Sequence, residues 1–240
     1  MKTIRSACKL QPKALDINVG DQIEQLDQII NDTNGQEYFD KTFITDGMKT
    51  LLSKGMARLA GKSNDSIFHL KQAMGGGKTH LMVGFGLLAK DEQLRSVLIS
   101  DIEHQSVFGT AKIAAFNGRD NHPDIYFFGE IARQLNKEFL FQKYWQSNKA
   151  PDEKAWLELF EGDDPILILL DELPPYFHYY NTQVLGLGTV ADVITRAFSN
   201  MLTAGQKKKN VCIVVSDLDA AYDTGGKLIQ RALDDATQEL

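Results

Sequence analysis

Three short stretches of this 240-residue chain carry residue types that could do chemistry together. The first is Met74-Gly75-Gly76-Gly77-Lys78-Thr79-His80. Glycines let a backbone curl until successive N–H groups point inward, and a helix starting beside them adds the positive end of its dipole. Such a loop cradles phosphate groups. Lys78 is expected on the β- and γ-phosphates of a nucleotide, with the Thr79 hydroxyl on Mg²⁺. The general pattern has a glycine where this chain has Gln72, and Gly75 and Gly76 are expected to supply the missing freedom. The second stretch is Ile166-Leu167-Ile168-Leu169-Leu170-Asp171-Glu172. Five apolar residues without alternation read as a central strand covered on both faces. Its tip delivers two carboxylates: Asp171 for the Mg²⁺ shell, and Glu172 to orient and deprotonate an attacking water. The third is Val211-Cys212-Ile213-Val214-Val215, ending at Ser216-Asp217, where Ser216 is a candidate for contacting the γ-phosphate or the water. Each stretch alone also reads as a capped turn. Together they point to nucleotide binding.

The elements that must position these residues follow from apolar periodicity. Met48, Leu51, Leu52, Met56, Leu59 and Ala60 form one helical stripe, stopped by Gly61. Ile67-Phe68-His69-Leu70 reads as the strand before the glycine loop, and Lys78–Lys90 as the helix after it. Val97-Leu98-Ile99 and Ile113-Ala114-Ala115-Phe116 are two further candidate strands, the second closed by Asn117-Gly118. A helix from Pro123 carries Ile125, Phe128, Ile131, Ala132, Leu135 and Phe139 on one face, and a shorter one runs through Trp156 and Phe160. A long helix presents Val190, Val193, Ile194, Ala197, Phe198, Met201 and Leu202. Strands alternating with helices predict an α/β fold of the P-loop NTPase kind: a three-layer α/β/α sandwich with a mainly parallel sheet. Residues 1–62 read as a mainly helical N-terminal extension, and residues 63–240 as the P-loop core. Pro174-Pro175-Tyr176-Phe177-His178-Tyr179-Tyr180 reads as a stiffened aromatic loop, turned toward a partner or folded back onto the domain.

Composition narrows the function classes. A net charge of −6 argues against a broad grip on nucleic-acid phosphates, and Lys207-Lys208-Lys209 reads as a solvated loop. Cys8 and Cys212 have neither disulfide nor metal-ligand spacing and read as free thiols. No apolar run approaches the length of a membrane helix, so a cytoplasmic location is expected. His80 is counted with the nucleotide site, although a place in the first turn of the helix would also account for it.

The run Gln72-Ala73-Met74-Gly75-Gly76-Gly77-Lys78-Thr79-His80 resembles the phosphate loop of the bacterial and archaeal DUF499 ATPases, in which Gln72 is usual. Leu169-Leu170-Asp171-Glu172-Leu173-Pro174-Pro175-Tyr176 resembles the second motif of that family. Two flanks agree: Phe43-Ile44-Thr45-Asp46-Gly47-Met48-Lys49-Thr50-Leu51-Leu52 and Gly129-Glu130-Ile131-Ala132-Arg133-Gln134-Leu135. The resemblance implies an AAA-like fold, a preference for ATP over GTP, and a motor or switch role in defence against foreign DNA. Its implied partners are a methyltransferase, helicase or nuclease, with homo-oligomers possible. It further implies a longer protein, of which this chain is an N-terminal piece lacking its lid, so that Arg196 and Arg231 are assigned no finger role. A nucleotide-binding switch without turnover is the alternative. A phosphotransferase fits less well, because no acceptor site is visible.

Overall fold

The computed structural model describes residue 26 and residues 30–31, 34–72, 77–119 and 124–218, together with residues 227, 230 and 233. In chain order the helices are α1 (Gly35–Phe39), α2 (Asp46–Leu59), α3 (Lys78–Lys90), α4 (Glu92–Leu98), α5 (Tyr126–Gln134), α6 (Glu138–Trp145), α7 (Glu153–Leu159), α8 (Leu173–Asn181) and α9 (Val190–Lys207). The strands are β1 (Ile67–Gln72), β2 (Lys112–Asn117), β3 (Ile166–Asp171), β4 (Val184–Leu185), β5 (Gly188–Thr189) and β6 (Val211–Leu218). Four of them form one parallel sheet in the order β1-β6-β3-β2, and β4 and β5 make a separate small antiparallel hairpin.

Side chains along a strand alternate between the two faces of its sheet. Here that alternation divides each apolar strand between two cores. Ile166, Ile168, Leu170, Val211, Ile213, Val215, Ala114 and Phe116 pack with residues of α5 to α9. Leu167, Leu169, Cys212, Val214 and Ala115 pack with residues of α2, α3 and α4. Helices therefore cover both faces of the sheet, which is why β3 from Ile166 to Leu170 and β6 from Val211 to Val215 are apolar at every position.

Several expectations needed correcting. Val97-Leu98-Ile99 is not a strand: Val97 and Leu98 end α4, and Val97 is 70% exposed. The Asp91 side chain caps that helix by accepting from the Leu94 N–H at 2.9 Å, a local start signal that outweighs three apolar residues. The long helix expected to reach Phe139 breaks into α5 and α6 around Asn136, which takes a left-handed φ of 58°. After that break Phe139 turns outward at 70% exposure and Phe141 is buried instead. Pro123 lies outside the described residues. The aromatic segment after Glu172 is helix α8, not a loop, because its prolines occupy the first turn, where N–H groups have no intrahelical partner. Tyr176, Phe177 and Tyr180 are buried against Phe116, Tyr126 and Phe198, while His178 and Tyr179 are exposed. The rings do fold onto the domain. Cys212 is a buried free thiol, and Cys8 lies outside the described residues. Among the described residues no helix is long and apolar enough to cross a membrane.

The amino-terminal ends of the strands are tied down by two buried arginines. Arg58 donates to the carbonyls of Val211 (2.9 Å), Ser63 (2.9 Å), Gly205 (2.8 Å) and Lys208 (2.5 Å), and more loosely to Asn64 and Gln206. Arg95 donates to the carbonyls of Gln105 (2.8 Å), Leu88 (2.8 Å), Ala89 (3.1 Å), Phe108 (2.6 Å) and Gly109 (2.5 Å). The Arg95 guanidinium also sits 4.3 Å from the centre of the Phe108 ring. Each planar fork gathers loop carbonyls that would otherwise be buried without donors.

Candidate active site

The same alternation decides where the polar ends of the strands go. Residues 167 and 169 face α3, so Asp171 faces it too; residues 212 and 214 face α3, so Ser216 does as well. β6 lies between β1 and β3, which brings Ser216 beside Asp171. The Ser216 hydroxyl donates to Asp171 Oδ1. The Thr79 hydroxyl, in the first turn of α3, donates to Asp171 Oδ2 at 2.5 Å. Three residues 92 and 45 positions apart in sequence thus share one carboxylate at the carboxyl edge of the sheet. Ser216 is wholly buried and Asp171 is 1% exposed, while Thr79 stands exposed at the rim of the cluster.

Gly77 precedes α3 with φ 74° and ψ 21°, a left-handed conformation that glycine adopts without the Cβ penalty. Its carbonyl accepts the Leu81 N–H at 2.8 Å, so the first turn of the helix closes directly after the glycine. Lys78 is buried at the foot of this turn, 8% exposed. Met74, Gly75 and Gly76, expected to complete the loop, lie outside the described residues. His80 is fixed to the N-terminal segment: its carbonyl accepts from the Tyr38 hydroxyl at 2.5 Å, and Nε2 lies 3.0 Å from Thr42 Oγ1. The Tyr38 and His80 rings stack at 4.6 Å.

Glu172 is the conformational oddity of the site. It takes φ 50° and ψ 42°, a left-handed conformation costly for a residue with a side chain, and it opens α8. Gly118 explains how this turn is accommodated. A Cβ at Gly118 would stand 2.1 Å from the Glu172 carbonyl oxygen, so the end of β2 can lie against the Glu172 peptide only without a side chain. The next residue, Arg119, is ion-paired to the Glu172 carboxylate. Burial pushes the Glu172 carboxyl above its ordinary range; Arg119 opposes that rise, Asp171 adds to it, and Lys78 opposes it weakly. A carboxylate whose proton affinity has been raised is suited to work as a base near neutral pH.

The residues fit a small hard cation. Thr79 Oγ1 and Asp171 Oδ2 converge as oxygen donors, the ligand type Mg²⁺ prefers, and Mg²⁺ commonly takes only one or two protein oxygens beside water and phosphate. Among the described residues no group of three or more His, Cys, Asp or Glu could cage a metal by itself. The structure brings Gly77, Lys78, Thr79, Asp171, Glu172 and Ser216 to one edge. His80 shares the helix turn with Thr79, but its ring is engaged by Tyr38 and Thr42. Sequence reading missed Gly118 and Arg119. The available signal was their place directly after a strand: Asn117 pairs with Asp171 in the register of β2 with β3.

In a comparison with known families, residues 8–107 fit the family model described as the DUF499 N-terminal domain. The matched span, less than half of the chain, takes in the segment from Phe43 through Thr79 but stops short of Asp171. Comparison with curated proteins and with solved structures gave no match.

Proposed function

We propose that this chain binds ATP with Mg²⁺ and hydrolyses it, using Gly77, Lys78 and Thr79, with Met74, Gly75 and Gly76 before them, as the phosphate cradle of an AAA-like P-loop ATPase. The observation that carries the reading is the sharing of Asp171 between Thr79 and Ser216, with Glu172 next in the chain. A helix N-terminus, a buried lysine and a carboxylate–hydroxyl pair meeting at one sheet edge suit a triphosphate and its cation. In this reading Thr79 and Asp171 hold Mg²⁺, which when bound offsets negative charge on the phosphate oxygens. Lys78 adds a second positive charge, at the foot of the loop.

Glu172 serves as the base that takes a proton from the attacking water, and Ser216 fixes the Asp171 carboxylate in orientation. Arg119 pairs with Glu172 Oε2 and so holds the carboxylate beside the end of β2. A motor or switch in a defence or restriction-modification assembly is the wider role that the DUF499 resemblance suggests.

The reading is tested by titration with Mg-ATP and by phosphate release, for the natural chain and for Lys78→Ala and Glu172→Gln. Lys78→Ala is expected to abolish binding. Glu172→Gln is expected to keep binding and to lower turnover by about 10²–10⁴-fold, the usual contribution of a positioned base. Turnover that survives Glu172→Gln would remove Glu172 from its role.

A further inference from the structure

The segment Phe43-Ile44-Thr45-Asp46-Gly47-Met48 has no part in the chemistry above, yet it is tethered to the phosphate-loop helix. The Tyr38 hydroxyl and the Thr42 hydroxyl both hold His80, and Tyr38 stacks on its ring. The tether forms a cleft of 180 Å³, walled by Phe43, Thr45 and Met48 on one side and by Gly77, His80 and Leu81 on the other. Positions 77, 80 and 81 are three and four residues apart and share one flank of α3, turned away from the flank on which Thr79 meets Asp171. A nucleotide lying over the start of α3 would therefore have its terminal phosphates on one flank and its base on the other.

The chemistry of the cleft agrees with that placement. Phe43 is a large aromatic ring left 85% exposed at its mouth, and Met48 is an apolar, polarizable floor. The cleft is smaller than the ~300–1,000 Å³ typical of a whole-ligand site, and suits a single ring system.

Resting on the assignment of Gly77, Lys78 and Thr79 to the phosphates, we infer that this cleft is the nucleobase subsite and that Phe43 is its stacking platform. Stacking uses the π-face that every base presents, so the subsite adds affinity more than it discriminates among bases.

Calorimetric titration with Mg-ATP and with Mg-tripolyphosphate, which has no base, separates the two parts of the site. Phe43→Ala is expected to weaken Mg-ATP about 10- to 100-fold, the range of base–aromatic stacking, and to leave Mg-tripolyphosphate within about twofold. Phe43→Trp is expected to keep Mg-ATP affinity. Because Phe43 is exposed, its replacement spares the core. If Phe43→Ala binds Mg-ATP like the natural chain, the base lies elsewhere and the cleft serves another partner. Equal weakening of both ligands would also overturn the inference, since Phe43 would then act through the loop. A natural chain that binds neither ligand would overturn the phosphate assignment itself, and this inference with it.

Discussion

At the amino-terminal ends of the strands, Arg58 and Arg95 are buried with their guanidinium groups surrounded by backbone carbonyls. At the carboxyl ends, Asp171 is buried with two hydroxyls donating to it, beside a glutamate in a left-handed conformation. Both edges bury charge, which is costly unless hydrogen bonds compensate. At the arginine edge both guanidinium groups are directed to the protein's own backbone carbonyls. The carboxylate edge holds backbone strain at Glu172 and sets an acidic pair side by side, features that fold stability alone would not select. The difference separates polar burial that fastens loops from polar burial that, in the function proposed above, serves a reaction.

The largest expected effect lies at the fastening edge. Arg95→Ala and Arg58→Ala each leave several buried carbonyls without donors and are expected to lower unfolding free energy by about 3–5 kcal/mol. Urea denaturation measures this; a loss below about 1 kcal/mol would mean that water replaces the guanidinium, and that the two edges do not differ as described. At the reactive edge the sign is expected to reverse. Glu172→Gly relieves the left-handed strain and is expected to stabilise the fold by about 1 kcal/mol while stopping turnover. A destabilised Glu172→Gly protein would show that Glu172 is kept for the fold.

The smallest expected effect is in pH dependence. Burial raises the Glu172 pKa, so a base that must be ionised has its acid limb above the ordinary glutamate range. Arg119→Ala removes a charge that opposes this rise, and the acid limb of turnover is expected to move further up in pH. The linkage to stability has the matching sign. Because folding favours the protonated form of Glu172, the stability it contributes is present below the unfolded glutamate pKa and is lost as pH rises through the folded value. A pH–rate profile unchanged by Arg119→Ala would remove the ion pair from any control of the base.

The sequence was most legible where the signal is local. The helix Lys78–Lys90 and the strands around residues 113–116, 166–170 and 211–215 follow from runs and periods of apolar residues, each set by neighbours a few positions away. It was least legible where a short apolar run competed with a cap, as at Val97-Leu98-Ile99, and where a left-handed residue broke a periodic stripe, as at Asn136. The glycine, lysine and threonine at 77–79, the carboxylates at 171 and 172, and Ser216 could all be nominated from residue type and position at a strand end or helix start.

Residue types, strand ends and the two-residue alternation within each strand are therefore properties of the sequence itself. The order β1-β6-β3-β2 is not, because pairing between strands depends on which surfaces remain to be covered after the helices pack. Only that order sets Ser216 and Asp171 side by side, brings Asn117 level with Asp171, and carries Arg119 to Glu172. These contacts join positions far apart along the chain, where local periodicity and propensity carry no information about distance.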